Sequence, residues 1–321
     1  MAEELSRRLL SVLLEKGFQK NTTLASILGV SESTVRRHMS ALKKSGTIKI
    51  IALRNPVLFG YKAWAKIGIK VEPRSLERVA SQLMQYHLVY FVAYGLGEFD
   101  IIVAVHFESI EELTYFVNSQ LARIRDIQRT ETMMLVQPRK YYHFSWPAPH
   151  FKENKTTGEY YFDVKSNPKQ YKIDEKDQQI LDILAEDGLT RTATLKSRLG
   201  MGESTIRKHV ANMLKSDVFR IVVVPDPEVL EYEVWATMGI VINHQFAHKV
   251  IDAILKDPAV YLASLSIGRF NILISTRFQN INMLSQFVKK KLPSIEGISS
   301  VEVFVHNKPL KYHNIVWQNL L

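Results

Sequence analysis

The 321 residues include no cysteine, which excludes disulfides, thiolate zinc sites, iron–sulfur clusters and cysteine nucleophiles at once. Fourteen glycines and eleven prolines are too few for a low-complexity chain. No apolar run approaches the roughly 20 residues a membrane helix needs, and the N-terminal MAEELSRRLLSVLLEKG is too charged for a secretory signal. The expectation is a cytoplasmic protein with no membrane partner. No G-x-x-x-x-G-K-[ST], G-x-S-x-G or H-E-x-x-H occurs, so no catalytic residue, metal or cofactor is expected. The composition, 46% hydrophobic and 23% charged, is that of an ordinary globular protein. Forty-two Lys and Arg against 32 Asp and Glu give a net charge of +10, which favours a polyanionic partner.

The chain is one unit written twice. SESTVRRHM at 31–39 matches GESTIRKHV at 202–210, an offset of 171 residues. The same offset pairs Gly29 with Gly200, Trp64 with Trp235, Gly68 with Gly239, Phe116 with Phe287 and Pro138 with Pro309. No insertion is needed between residues 15 and 142, so both copies keep every loop length. Two copies at this period make a tandem duplication, not a solenoid.

Each copy divides in two. Residues 1–53 show helical periodicity in Leu5, Leu9, Val12 and Leu13, then Leu24, Ile27 and Leu28, then Val35, Met39 and Leu42, which predicts three short helices. From about 58 to 138, strand-like runs alternate with amphipathic segments in the order β-α-β-β-α-β, a ferredoxin-like arrangement. Two helices cover one face of such a sheet, and a second copy is the obvious cover for the other. The resulting fold class is α+β, with two tandem copies of a (winged) helix-turn-helix followed by a βαββαβ domain. The boundaries are 1–53 and 173–224 for the helix-turn-helix domains and 54–140 and 225–314 for the sheet domains, with a linker at 141–172 and a tail at 315–321. The linker is rich in Tyr, Phe and Trp, which predicts that part of it packs as a strap.

In a helix-turn-helix, the second helix of the motif presents its first turns to base edges in the major groove. Here that helix spans 31 to about 44, with Ser31 placed as N-cap and Val35, Met39 and Leu42 on the buried stripe. Ser33, Thr34, Arg36, Arg37, Ser40 and Lys44 then face outward, hydroxyls and guanidinium groups suited to bases and phosphates. The second copy offers Ser204, Thr205, Arg207, Lys208 and Lys215. Between 20 and 49 there are six basic residues and one acid, and between 191 and 220 seven and two, so both segments carry +5. A lone Arg-Arg pair is more often a solvated face, but here five of nine residues recur identically in the second copy. His38 and His209 read as helix-flank packing residues. Double-stranded DNA is the expected partner.

The order L-G-V-S-x-S-T-V-R-R, then T-I-K, F-G-Y-K-A and a βαββαβ domain with G-E-F-D resembles the Lrp/AsnC (feast/famine) family of transcriptional regulators. The resemblance covers nearly all of both copies. It implies that the sheet domain is a small-molecule-binding RAM domain. It further implies pairing of such sheets back to back, self-association into larger assemblies, and an amino-acid effector held by the G-x-x-D turn and by threonines of the last strand. Carried onto this chain, the effector residues are Gly97, Glu98, Asp100, Thr130 and Thr132. The second copy departs from the pattern with Gly268-Arg269-Phe270-Asn271 and with Val301 and Val303 in place of the threonines, which predicts a degenerate pocket there, or one for a different, more acidic or more apolar ligand.

One rival reading is enzymatic. Siroheme decarboxylases are built on a similar scaffold, occur as two-component or fused proteins, and use His and Arg around a tetrapyrrole. The chain has ten histidines, among them His87, His106, His143 and His150, most of which do not recur between copies. His244 and His248 stand four apart with no third ligand nearby, so a solvated helix start is the better account. The repeated basic helix favours regulation.

Overall fold

The computed structural model describes residues 2–55, 58–141, 171–230, 232–313 and 315–316. The aromatic strap expected in the linker, with His143 and His150, lies outside the described residues.

The first copy runs α1 (Ala2–Lys16), α2 (Asn21–Leu28), α3 (Glu32–Lys44), β1 (Ile48–Arg54), β2 (Ala63–Val71), α4 (Leu76–Gln85), β3 (Val89–Leu96), β4 (Ile101–Phe107), α5 (Ile110–Tyr115) and β5 (Ile127–Tyr141). The second runs α6 (Glu175–Glu186), α7 (Thr192–Leu199), α8 (Glu203–Lys215), β6 (Phe219–Pro225), β7 (Val234–Ile242), α9 (Ala247–Leu255), β8 (Val260–Ile267), β9 (Ile272–Phe278), α10 (Ile281–Gln286), β10 (Ile298–His306), β11 (Lys311–Tyr312) and β12 (Ile315–Val316). The 171-residue offset carries almost every element onto its counterpart. Even the π-helical turn Phe116–Gln120 recurs at Phe287–Lys291.

The described chain forms two compact units that cut across the copies. One holds Met1–Phe59 with Tyr142–Glu231 and so contains both helix-turn-helix domains. In it β1 pairs antiparallel with β6 over seven residues, with Ile51 opposite Val222. These two residues are repeat equivalents, so a pseudo-two-fold axis passes between them. The strand-like runs KIIAL (49–53) and RIVVV (220–224), which follow each helix-turn-helix where a wing would stand, pair with each other across the copies. The apolar surface follows the exchange: Val223 of the second copy joins Leu9, Leu24, Val35 and Ile48 in the first core, and Ala52 joins Ile180, Leu195, Ile206 and Phe219 in the second.

The other unit holds Gly60–Tyr141 with Tyr232–Leu321. Its strand order is β10-β7-β9-β8-β5-β2-β4-β3-β11-β12, and β10 also pairs with β3, so the first eight strands close into a ring. Each half keeps the ferredoxin-like order β5-β2-β4-β3 or β10-β7-β9-β8. The joints are pseudo-symmetric: Met134 opposes Ile267 at one, and their equivalents Val305 and Leu96 oppose each other at the other. Closure removes the exposed edges that an open sheet would present. Helices lie on the outside, where Val79, Ala80 and Leu83 of α4 pack on Ala65, Ile67 and Ile69 of β2. Because both faces of β2 are covered, its run AWAKIGIKV is buried at every residue except Lys70.

Candidate nucleic-acid interface and effector site

Gly29 ends α2 in a left-handed conformation (φ 68°), and Gly200 does the same for α7, so the chain turns sharply into each recognition helix. Ser31 then caps α3, its Oγ accepting from the Thr34 N–H at 3.2 Å. In the second copy Gly202 occupies that position and gives no side-chain cap. Val35, Met39 and Leu42 are buried, while Ser33, Arg36, Arg37, Ser40 and Lys44 are exposed and Thr34 half-buried. On α8, Ser204, Arg207, Lys208 and Lys215 are exposed and Thr205 half-buried. Each helix therefore shows an outer face with hydroxyls at its start and cations behind them. Arg36 donates to Glu32 at 2.7 Å and Arg207 to Glu203 at 3.4 Å. Such exposed i,i+4 pairs are weak and leave the guanidinium groups open to a stronger anion.

The recurring histidine anchors each recognition helix. His38 Nδ1 lies 2.8 Å from Ser6 Oγ, and at the equivalent positions His209 Nδ1 lies 2.7 Å from Asp177 Oδ1. Asp177 is only 1% exposed and also accepts from the Tyr171 hydroxyl and the Asp174 N–H. Burial, followed by the Asp177 contact, pushes the Tyr171 phenol up to about 12. Among the described residues Asp174, Asp177 and His209 also have metal-compatible spacing. Their mutual hydrogen bonds account for the cluster without an ion. His244 and His248 are exposed, and that grouping includes neither.

Two acids at the first helix of the second copy have a use that sequence reading missed. Lys43 Nζ donates to Asp187 at 3.1 Å, and Arg54 pairs with Asp182. Both are pairs between copies. In sequence, their trace is that Asp182 and Asp187 stand where the first copy has Ser11 and Lys16.

In the ring unit, Gly97 takes φ 105° at the β3–β4 turn, and the turn brings Asp100 back to β2. The Asp100 carboxylate accepts from the Val71 N–H at 2.9 Å and from Lys70 Nζ at 2.7 Å. In the second copy Asn271 accepts from the Ile242 N–H at the same 2.9 Å. Thr130 and Thr132 are half-buried opposite Ile69 and Ile67, on the helix-covered side of the sheet. Glu98 belongs to a different group. Arg129 donates to it at 3.0 Å and Arg269 at 3.3 Å, and Arg269 also reaches Glu131 at 3.1 Å and Glu302. Burial acts to raise the Glu98 carboxyl, but the hydrogen bonds from Arg129 and Arg269 outweigh it and hold it below its ordinary value. A cavity of about 430 Å³ lies elsewhere in the first sheet domain, lined by Tyr86, His87, Phe107, Glu111, Tyr115 and Phe116 among others. None of the five residues expected to hold an effector lines it.

The inner face of the ring carries polar groups that periodicity did not reveal. Lys66, His306 and Arg277 are 2%, 1% and 2% exposed. Lys66 donates to Thr237 and lies 5.1 Å from the Phe91 ring centroid, and Arg277 lies 4.9 Å from that of Tyr232. His106 stacks between Tyr61 and Tyr90, at 3.9 and 5.0 Å.

Comparison with known proteins matches residues 6–62 to a helix-turn-helix (HTH) domain and residues 65–143 to the Lrp/AsnC ligand binding domain. The HTH-type transcriptional regulator PF1231 of Pyrococcus furiosus, itself uncharacterized, is 37% identical over 142 residues, which cover 44% of this chain and 96% of that protein. The HTH-type transcriptional regulator FL11 of Pyrococcus abyssi is 31% identical over 43% of this chain and 91% of its own length. Each relative thus corresponds to a single copy of the unit. Among solved structures, the siroheme decarboxylase NirDL shares the fold across 98% of this chain and 94% of its own, with a TM-score of 0.63 and 14% identity.

Proposed function

The chain belongs to the Lrp/AsnC family of HTH-type transcriptional regulators, and from that premise we propose that one molecule reads an imperfect palindrome with two non-identical recognition helices. The observation that carries this is the β1–β6 ribbon, in which Ile51 faces its own repeat equivalent Val222. Two-fold related recognition helices match two-fold related half-sites, and here one chain provides both. Ser33, Thr34, Arg36, Arg37, Ser40 and Lys44 read one half-site, and Ser204, Thr205, Arg207, Lys208 and Lys215 the other. Since Gly202 replaces the Ser31 cap and Lys208 replaces Arg37, the half-sites differ.

The first sheet domain takes a small effector such as an amino acid beside Gly97 and Asp100, with Thr130 and Thr132 on the same strand system, while Glu98 is engaged by Arg129 and Arg269 instead. Asp100 supplies the anionic partner for an ammonium group, and Gly97, without a Cβ, lets backbone approach closely. Effector binding then favours one arrangement of the sheet domains, or of chains associated through them, and changes operator affinity by that difference. The protein acts in the cytoplasm and carries out no reaction.

The experiment is a fluorescence-anisotropy titration of the purified protein against its own promoter and an unrelated duplex at two salt concentrations, with visible absorbance recorded on the same sample. Preference for its own promoter by a colourless protein is expected. The fold shared with NirDL gives the contrary outcome a definite form: no DNA preference, with tetrapyrrole absorbance or siroheme turnover, would replace the regulator by a decarboxylase.

A further inference from the structure

Residues related by the 171-residue offset meet where the pseudo-two-fold axis crosses the ring, and they are unlike. Lys66 Nζ donates to Thr237 Oγ1 at 2.8 Å. Arg269 Nη1 lies 3.3 Å from Glu98 Oε1. Around Arg269 stand three carboxylates, Glu98 and Glu131 from the first copy and Glu302 from the second. Arg129 completes the network on the first copy's side, and its equivalent in the second copy is Ser300.

A first copy paired with another first copy would set Lys66 against Lys66 at a position only 2% exposed, and Glu98 against Glu98 beside two Glu131 side chains. A second copy paired with itself would set Arg269 against Arg269, each left with Glu302 alone in place of three carboxylates. The like charges, buried at Lys66 and partly exposed at Glu98 and Arg269, select against such pairs, most strongly at Lys66. The tether adds to this, because the matching surface is always present on the same chain.

We propose that the inner face of each sheet domain is an interaction surface that fits the other copy of this chain and rejects its own kind. The half-rings therefore pair within one molecule, and association between molecules uses other surfaces. This rests on the reading that one chain supplies both halves of the DNA-binding unit, but its test involves no DNA, so either idea can fail alone.

The absence of cysteine makes the test direct. Full-length Glu98→Cys, Arg269→Cys and the double variant are treated with a short bismaleimide, which tolerates separations that a disulfide does not. The double variant is expected to cross-link within the chain at every protein concentration, and neither single variant to give dimers. Dimers from either single variant would overturn the rejection of like by like. A double-variant product that is intermolecular and lost on dilution, or no product at all, would overturn pairing within the chain. As a second measurement, Arg269→Glu is expected to lower the melting temperature by a few degrees, and Glu98→Arg combined with it to restore part of the loss, since Glu131 and Glu302 still face the new carboxylate. A double variant no more stable than the single would remove the charge complementarity from the proposal.

Discussion

Lys66 and Thr237 occupy the same position in the two copies of the unit and touch each other, Nζ donating to Oγ1 at 2.8 Å in the closed interior of the ring. Burial pushes the Lys66 ammonium down to about 7. His306 is pushed down to about 3, by burial first and then by the charge of Lys66, against a hydrogen bond with the Asn307 carbonyl.

These shifts set a pH dependence. Between about 7 and 10.5 the unfolded chain holds a proton on Lys66 that the folded chain lacks, so stability rises with pH across that window and levels off above it. His306 adds a further loss as pH falls from 6.5 towards 3. Lys66→Met is expected to raise stability at pH 7 by up to roughly 4 kcal/mol, less the cost of leaving Thr237 without its donor, and to flatten the slope above pH 7. Urea denaturation midpoints across the window check this, and an unchanged slope would show that Lys66 stays charged when folded.

The two recognition helices should contribute unequally. Ser31→Ala removes a cap and is expected to cost about 1 kcal/mol of stability, whereas Gly202→Ser is expected to add a little by supplying one. Arg36→Ala and Arg207→Ala should each weaken operator binding by roughly 1–3 kcal/mol if the guanidinium groups read bases. Pure phosphate contacts would instead weaken all duplexes alike and shallow the salt dependence. Anisotropy titrations with operators mutated in one half-site separate the two helices.

The histidine anchors give a matched pair of deletions. Ser6→Ala removes a neutral partner from His38 and is expected to cost about 1 kcal/mol. Asp177→Ala leaves His209, Tyr171 and the Asp174 N–H without their shared acceptor in a site 1% exposed, and should cost roughly 2–4 kcal/mol. Equal losses in thermal melts would mean that the carboxylate adds nothing over the hydroxyl.

Periodicity was enough to read the three helices and the βαββαβ order of each copy, because the apolar stripes there face one core. It was also enough for the outward side of α3 and α8, since Val35, Met39 and Leu42 leave Arg36, Arg37 and Ser40 nowhere else to point. The β1–β6 pairing was not legible: KIIAL and RIVVV carry the same strand signal whether they pair within a wing or across copies, and only the tertiary register places Ile51 against Val222. A second copy was the expected cover for the open face of each sheet, but the polar residues it buries were not legible. Lys66, His306 and Arg277 look like exposed positions of an alternating strand until a second sheet covers them. The acid in G-E-F-D was visible as a ligand candidate, but its bond to the Val71 N–H depends on how the hairpin folds back.

Asp100 allows structure and ligand binding to be separated, because the second copy has already made the substitution. Asn271 holds the Ile242 N–H at 2.9 Å just as Asp100 holds that of Val71. Asp100→Asn therefore keeps the backbone bond and loses only the charge that meets Lys70, a half-exposed pair worth little to stability. The expected variant melts within about 1 kcal/mol of the wild type and binds operator DNA normally without effector. If Asp100 takes an ammonium group, the same variant loses its response to amino acids while Glu111→Gln, at the separate cavity, keeps it. The reverse pattern, with Asp100→Asn responding and Glu111→Gln silent, would move the effector from the G-x-x-D turn to the cavity beside Tyr86 and Tyr115.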